Sequence, residues 1–454
     1  MLHGRIPYHD FVLLHPPVVM LALLPAALLG HLTSDHTGFM AANLGFSVIG
    51  ALNAVLVAMV ARRLGLTNRA AMVGGLLYAV WFAPSVAEYS ARLEPLGNFF
   101  LLLGLLALVS AVDQERPRRR LLLAAAGALL ATAANTKIWF IVPLFVAVGW
   151  VLLVQRRRHD AALMAIGAVS AGVLVDVPFL IASRGDMWSM VVTAQVERIP
   201  RSSHPYVVRL ADLTTAYYPR PDEVTSGIVV SAVLGMAVLI AILAFAWRVP
   251  AARPVVGLAT AALLTLLFSP AWFEPYADFS AAPVAVCAAA AAHALPTRLR
   301  LAGWVPTACA TGVTLAVLVP GYPAMNWWGP KELTAAARHA RCVTSDSPAG
   351  LIALNVLDRD LHNGCAVWVD PIGRGYLDSH EAGSTLATNP EWQRQAVAYL
   401  RTGDLAYPYL VRRPFDRRAK AEIGRYGAVI RIRADGRSFI LYRQHPGGST
   451  HSTR

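Results

Sequence analysis

Residues 84–98, Pro-Ser-Val-Ala-Glu-Tyr-Ser-Ala-Arg-Leu-Glu-Pro-Leu-Gly-Asn, are a short polar break between two apolar runs. Ala70–Ala83 precedes it and Leu96–Val112 follows, each nearly free of charge. The break itself holds Glu88, Arg92 and Glu94. Runs of this length and hydropathy are the raw material of membrane-spanning helices. Three charged groups at a membrane edge are costly to keep, which points to function; a solvated turn between two helices is the plainer alternative. The placement of the remaining charges bears on both.

The 454 residues are 56% hydrophobic and only 15% charged, with a mean hydropathy of +0.49. Soluble domains carry about a quarter charged residues, so the composition indicates a polytopic α-helical membrane protein. The net charge of +13 does not indicate a nucleic-acid partner, because the arginines fall in short clusters between apolar runs. Apolar runs lie near 41–61, 70–83, 96–112, 121–135, 138–154, 161–182, 227–247, 255–269, 279–295 and 301–320. The expectation is therefore about ten to eleven transmembrane helices in a domain covering 1–320.

The loops between these runs alternate in charge. One set holds Arg62, Arg63 and Arg69, then Arg116 and Arg118–Arg120, Arg156–Arg158, Arg248, Arg253, Arg298 and Arg300. The other short loops hold little basic charge beyond Arg92 and Lys137. Basic loops stay in the cytoplasm. The Glu88–Glu94 loop, the long loop 183–226, the loop 270–278 and all that follows Pro320 are then expected outside.

Residues Met1–Arg5 lead into Pro7, Tyr8, His9 and Asp10 rather than an apolar core, so no cleavable leader is expected. The run Val12–Leu32 is interrupted by His15, Pro16, Pro17 and Pro25. Either it crosses the membrane or it lies along the outer surface as a juxtamembrane helix within residues 1–40. The prolines favour the second, which places an upstream helix outside this sequence. In the loop 183–226, the amphipathic piece Met187–Val196 precedes Glu197, Arg198 and Arg201 and the tyrosines Tyr206, Tyr217 and Tyr218. Arginines and aromatics at an interface suit lipid headgroups or a lipid-linked phosphate.

After the last apolar run the pattern becomes that of a small α/β domain, over 321–445, followed by a disordered tail, 446–454. Cys342–Ser345, Leu351–Leu354 and Ala366–Val369 read as strands, and Glu391–Arg401 and Arg417–Tyr426 as helices. Ala428–Arg433 and Ser438–Arg443 read as a hairpin. Cys342 and Cys365 are expected to be bridged, since the domain falls in an oxidising compartment. Phosphate-binding Gly-Lys loops, Cys-x-x-Cys pairs, His-Glu-x-x-His and nucleophile-elbow serines are absent from the sequence. The thirteen histidines do not fall at metal-binding spacing within a predicted helix, so neither a metal nor a cofactor is expected.

Several short motifs together resemble the GT-C superfamily of integral-membrane glycosyltransferases. That superfamily uses polyprenyl-phosphate sugars and includes protein O-mannosyltransferases and aminoarabinose transferases. Gly4-Arg5-Ile6-Pro7-Tyr8-His9-Asp10-Phe11, with His15-Pro16-Pro17, resembles the family's first outer loop and its juxtamembrane helix. Glu94-Pro95 resembles the acidic residue and proline closing its second outer loop. Asn135-Thr136-Lys137 resembles the lysine motif that contacts the lipid phosphate. Tyr276-Ala277-Asp278-Phe279, with Pro283, resembles a tyrosine pattern in a late helix. One departure stands out. The family's catalytic acid follows its first helix, upstream of the Gly-x-x-Pro-Tyr segment, and here Met1 stands three residues before Gly4. That helix and acid are expected to be missing, through a late start or because the member is degenerate.

What the resemblance implies is transfer of a hexosyl or pentosyl unit from a polyprenyl-phosphate donor to a hydroxyl of a glycan, lipid or protein, with inversion. Glu94 and Glu88 are the candidate catalytic carboxylates. Lys137 is the candidate cation for the lipid phosphate, with Arg92, Arg198 and Arg201 supporting and Tyr8, Asp10 and Tyr276 binding substrate. Plainer roles are open to the two leading candidates: Glu94 starts a helix beside Pro95, and Lys137 can snorkel; Asp176, near the outer end of the run 161–182, reads as an interface polar group rather than a catalyst. A non-catalytic protein of the same fold that binds or moves lipid-linked sugars is the alternative. A secondary transporter fits less well, since the sequence has no inverted repeat or pair of broken helices.

Overall fold

The computed structural model describes residues 1–112, 114–197, 206–214, 224–270, 272–318, 330–377, 386–409, 415–434 and 437–445. The chain is mostly helical, as the ten apolar runs require. After α1 (Val18–Leu32) come α2 (Asp35–Arg63), α3 (Asn68–Val80), α4 (Phe82–Tyr89), α5 (Leu93–Ser110), α6 (Arg116–Ala134), α7 (Ile141–Gly149) and α8 (Arg158–Ala182). Apolar helices then run over Ser226–Trp247, Arg253–Leu267, Asp278–Ala294 and Val305–Leu318. Six described helices are long and apolar enough to cross a membrane, and α3 with α4, bent by 53°, makes a seventh candidate. The chain is a multi-pass membrane protein.

Hydrogen-bonding side chains start several of these helices. Ser34 and Thr67 accept the backbone N–H groups of Thr37 and Ala70 at the starts of α2 and α3, and Thr225 does the same for Ile228. The alanine-rich helix Asp278–Ala294 lies at the centre of the bundle, buried from Asp278 to Ala291. Small side chains let its neighbours come close: a Cβ on Gly74 of α3 would stand 2.7 Å from the Ala285 carbonyl. In α6 and α8 the approach is closer still. A Cβ on Gly127 would meet the Met164 carbonyl at 1.8 Å, and one on Gly167 the Ala124 carbonyl at 1.9 Å.

The two ends of the bundle differ. At one end Arg119 pairs with Asp160, joined by Arg157 at 3.9 Å. The 19 residues of α6 carry the chain about 28 Å, at 1.5 Å per residue, from Arg116 to Ala134 near Lys137. Lys137 and the arginine cluster therefore lie on opposite ends, separated by about a hydrocarbon core.

At the Lys137 end sits a four-stranded sheet with its helices, in the order β1 (Val343–Ser345), β2 (Leu405–Tyr407), β4 (Arg437–Arg443), β3 (Ala428–Ala434). β1 and β2 are parallel, and the other pairings are antiparallel. Cys342 and Cys365 form a disulfide with Cα atoms 5.7 Å apart. Two expected strands are not strands. Pro348–Ala353 is a helix, because Pro348 fits a first helical turn and Ala-Gly-Leu-Ile-Ala continues it. Ala366–Val369 is irregular, with Trp368 stacked on Tyr399 at 4.6 Å. β2, only three residues long, is the strand the sequence reading lacked. The expected tail, 446–454, lies outside the described residues.

α1, about 22 Å long, is too short to cross a bilayer unaided. Both of its flanks touch the sheet region: the Leu14 N–H donates to Asp370 at 3.2 Å, and His31 bonds Asp358 at 2.8 Å. The α1 segment therefore lies along the end of the bundle beneath that region. Asp35, opening α2, accepts the backbone N–H groups of Leu357 and Asp358 at 2.7 and 3.1 Å.

Candidate active site

Glu94 and Lys137 meet. The Lys137 ammonium donates to Glu94 Oε1, and the two residues are 2% and 3% exposed. Local sequence explains the positions. Glu94 stands in the first turn of α5, where the helix dipole favours a carboxylate. Lys137 stands in the short link between α6 and the turn Ile138–Phe140. Aromatic rings wall the ammonium, with the Tyr276 centroid 3.6 Å from Nζ and that of Trp139 4.0 Å away. Those two rings pack edge to face at 4.5 Å. The ammonium is desolvated, and its charge is balanced by Glu94 and two π faces.

Beneath the pair runs a buried polar network. Asn53 of α2 donates to the Pro95 carbonyl at 2.9 Å and to the Tyr78 hydroxyl at 3.1 Å. Tyr78 in turn donates to Asp278 at 3.4 Å, and Asn98 donates to the Asp278 carbonyl and carboxylate at 2.7 and 3.1 Å. Glu88 lies over Gly50, where a Cβ would stand 1.9 Å from its carboxyl carbon. Among the described residues, Glu88 Oε1 and Asp278 Oδ2 are buried without a hydrogen-bond partner. Of the three carboxylates, Glu94 makes the contact with the lysine, while Asp278 belongs to the network of Tyr78 and Asn98.

Beside this cluster opens a mostly apolar cavity of about 240 Å³. Asn135 and Ile138, on either side of the Thr136-Lys137 link, line one wall, and Asp176, Leu180, Met187 and Val191 line the other. Asp176 Oδ1 is buried without a partner among the described residues. The piece Met187–Val196, expected to be amphipathic, is helical and supplies part of this wall.

Other candidates sit apart from the pair. Tyr8 is fully buried with its ring 6.2 Å from Phe179, and it donates to the His15 carbonyl at 2.8 Å. Burial pushes its phenol well above the ordinary range. Asp10 accepts the Ile6 N–H at 2.6 Å and bonds His9, which holds its carboxyl below the usual value; it closes its own turn. Arg92 is exposed and turns to Ser90 at 3.2 Å. Arg198, Arg201, Tyr217 and Tyr218 lie outside the described residues. Sequence reasoning did not single out Trp139, Asn53, Tyr78 and Asn98. The signal for the asparagines was present, because an amide inside an apolar helix demands a partner.

The buried pair and its polar network thus stand at one end of the bundle, beside an apolar cavity. The chain belongs to glycosyltransferase family 87, whose model matches residues 13–270. Its fold is similar to that of the oligosaccharyltransferase AglB from Archaeoglobus fulgidus, solved with an inhibitory peptide and a dolichol-phosphate. The TM-score is 0.56 at 14% identity, covering 97% of this chain and 68% of AglB. ArnT from Cupriavidus metallidurans, solved with undecaprenyl phosphate, gives a TM-score of 0.52 at 18% identity, covering 78% of this chain. The match spans 65% of ArnT, slightly under two thirds of its length. Comparison with curated proteins by sequence gives no match.

Proposed function

We propose that this chain transfers a glycosyl group from a polyprenyl-phosphate-linked donor to an acceptor hydroxyl at the outer membrane face, with inversion. The single observation carrying the reading is the Lys137–Glu94 pair, buried between Tyr276 and Trp139 beside an apolar cavity. A lysine has three N–H donors. In this reading a lipid phosphate, as a stronger anion, draws Lys137 from Glu94 and is held by it as the leaving group. Glu94 is then free to take the proton of the attacking hydroxyl, with Glu88 as the second candidate. The cavity along 186–193 takes the first isoprene units, and the Tyr276 ring offers a face for the sugar. The undecaprenyl phosphate of ArnT and the dolichol-phosphate of AglB support this donor class.

The orientation belongs to the same reading. The arginine end faces the cytoplasm, and the Lys137 end, with the sheet region and its Cys342–Cys365 bridge, faces an oxidising exterior. The test is transfer in proteoliposomes from polyprenyl-phosphate sugars against the matching nucleotide sugars. Label moving only from the lipid-linked donor, and falling about a hundredfold or more in E94Q, supports the proposal. Donor binding without transfer, unchanged in E94Q, favours the non-catalytic binding or transport role.

A further inference from the structure

The described residues hold one group of side chains suited to a metal ion, and it lies away from Lys137. His3 Nε2 and His31 Nδ1 each approach the same Asp358 oxygen at 2.8 Å, and all three donor atoms lie within 4.8 Å of one another. The three residues come from separate parts of the chain: the N-terminal segment, the end of α1, and the helix Leu357–His362 in the sheet region. That is why residue spacing within a helix gave no sign of them.

We infer that His3, His31 and Asp358 form a divalent transition-metal site that clamps the sheet region onto α1 and the N-terminal segment. Two imidazoles and a carboxylate are a ligand set that zinc favours and that hard cations such as magnesium and calcium do not. A tetrahedral ion about 2.0–2.1 Å from each donor needs donor separations of about 3.3 Å, so small rotations of these side chains make room for it. The backbone around the site is already held, because Asp35 accepts the N–H groups of Leu357 and Asp358. Such outer contacts fix a ligand's orientation. His3 is mostly buried, while the His31 and Asp358 side chains are 41% and 32% exposed, which leaves an entry path and room for a water ligand. His362, its ring 6.5 Å from that of His3, is a further imidazole at the rim. The bare alternative is a pair of imidazole–carboxylate hydrogen bonds holding the same elements together, and metal content separates the two.

The experiment uses the full chain, purified in detergent without a polyhistidine tag, stripped with EDTA and reloaded with zinc or cobalt. The expected result is a single tightly held equivalent by elemental analysis and a visible cobalt spectrum with imidazole and carboxylate ligation. H3Q, H31Q and D358N should each weaken binding by about a hundredfold or more, beyond the cost of outer-shell changes. H159Q, at the arginine end, should leave it intact. Limited proteolysis gives a second readout: EDTA should speed cleavage of the sheet region in the wild type but not in D358N. H3Q alters only the N-terminal segment, so a folding defect in D358N leaves a decisive variant. Failure of the wild type to retain zinc at micromolar concentrations overturns the assignment, as does retention of a full equivalent by H3Q and D358N. Because none of these readouts involves glycosyl transfer, the result stands independently of the proposed activity.

Discussion

At the residue scale the molecule turns on one buried ion pair. Glu94 and Lys137 are both buried and pair with each other. Removing one partner strands the other: K137M should destabilise the bundle by about 3–5 kcal/mol. The double variant E94Q/K137M should recover most of that loss while activity stays lost, a coupling that denaturant unfolding of the four proteins reads directly. If the double variant is no more stable than K137M, the pair is not the unit described. Both residues were legible in the sequence because a charge beside an apolar run is conspicuous. Their surroundings were less so. Trp139 lies within the apolar run 138–154, and Asn53 and Asn98 lie within 41–61 and 96–112, where an amide signals the need for a partner but not which one. Their meeting with Tyr78 and Asp278 depends on how α2, α3 and α5 pack against Asp278–Ala294, which local pattern does not encode.

At the element scale, close helix contact and a covalent link each make a prediction. Gly127 and Gly167 bring α6 against α8 backbone to backbone. Gly127→Leu should force these helices apart and cost about 1–3 kcal/mol, seen as a lower melting temperature in detergent. Gly149→Ala, where nothing lies within 4 Å of the added carbon, should not. In the sheet region, reducing or deleting the Cys342–Cys365 bridge should cost about 3 kcal/mol in the chain-entropy model, measured by unfolding with and without reductant. The helices of the bundle were readable because hydropathy over some twenty residues is a strong signal. The sheet region was read less well for a physical reason. β1 and β2 are three residues each, too short to show alternation, and Leu351–Leu354 is apolar enough for either state until Pro348 opens a helix. The helix Tyr206–Thr214, inside the long loop, was also missed; its Arg209 is buried and donates to the Ser269 carbonyl at 2.8 Å.

At the scale of the whole molecule, the short loops joining the apolar runs cluster their arginines at one end of the bundle, and everything proposed for the site lies at the other. Cysteines placed at Arg118 and Arg157 should resist an impermeant reagent in intact cells, while one placed at exposed Arg92 should react. The reverse pattern would turn the proposed topology over. The sheet region rests on the α1 segment through Asp370 and Asp358 and on the start of α2 through Asp35, so it shares the end where donor and acceptor would meet. The central claim is that Lys137 holds the phosphate of a polyprenyl donor. It is tested most directly by binding of undecaprenyl phosphate to the purified chain, followed by thermal stabilisation, in wild type and in the E94Q/K137M pair variant. The wild type should be stabilised in proportion to the lipid phosphate and not by the corresponding alcohol, with the shift largely lost in the variant. Equal stabilisation of both proteins, or equal stabilisation by phosphate and alcohol, would contradict it.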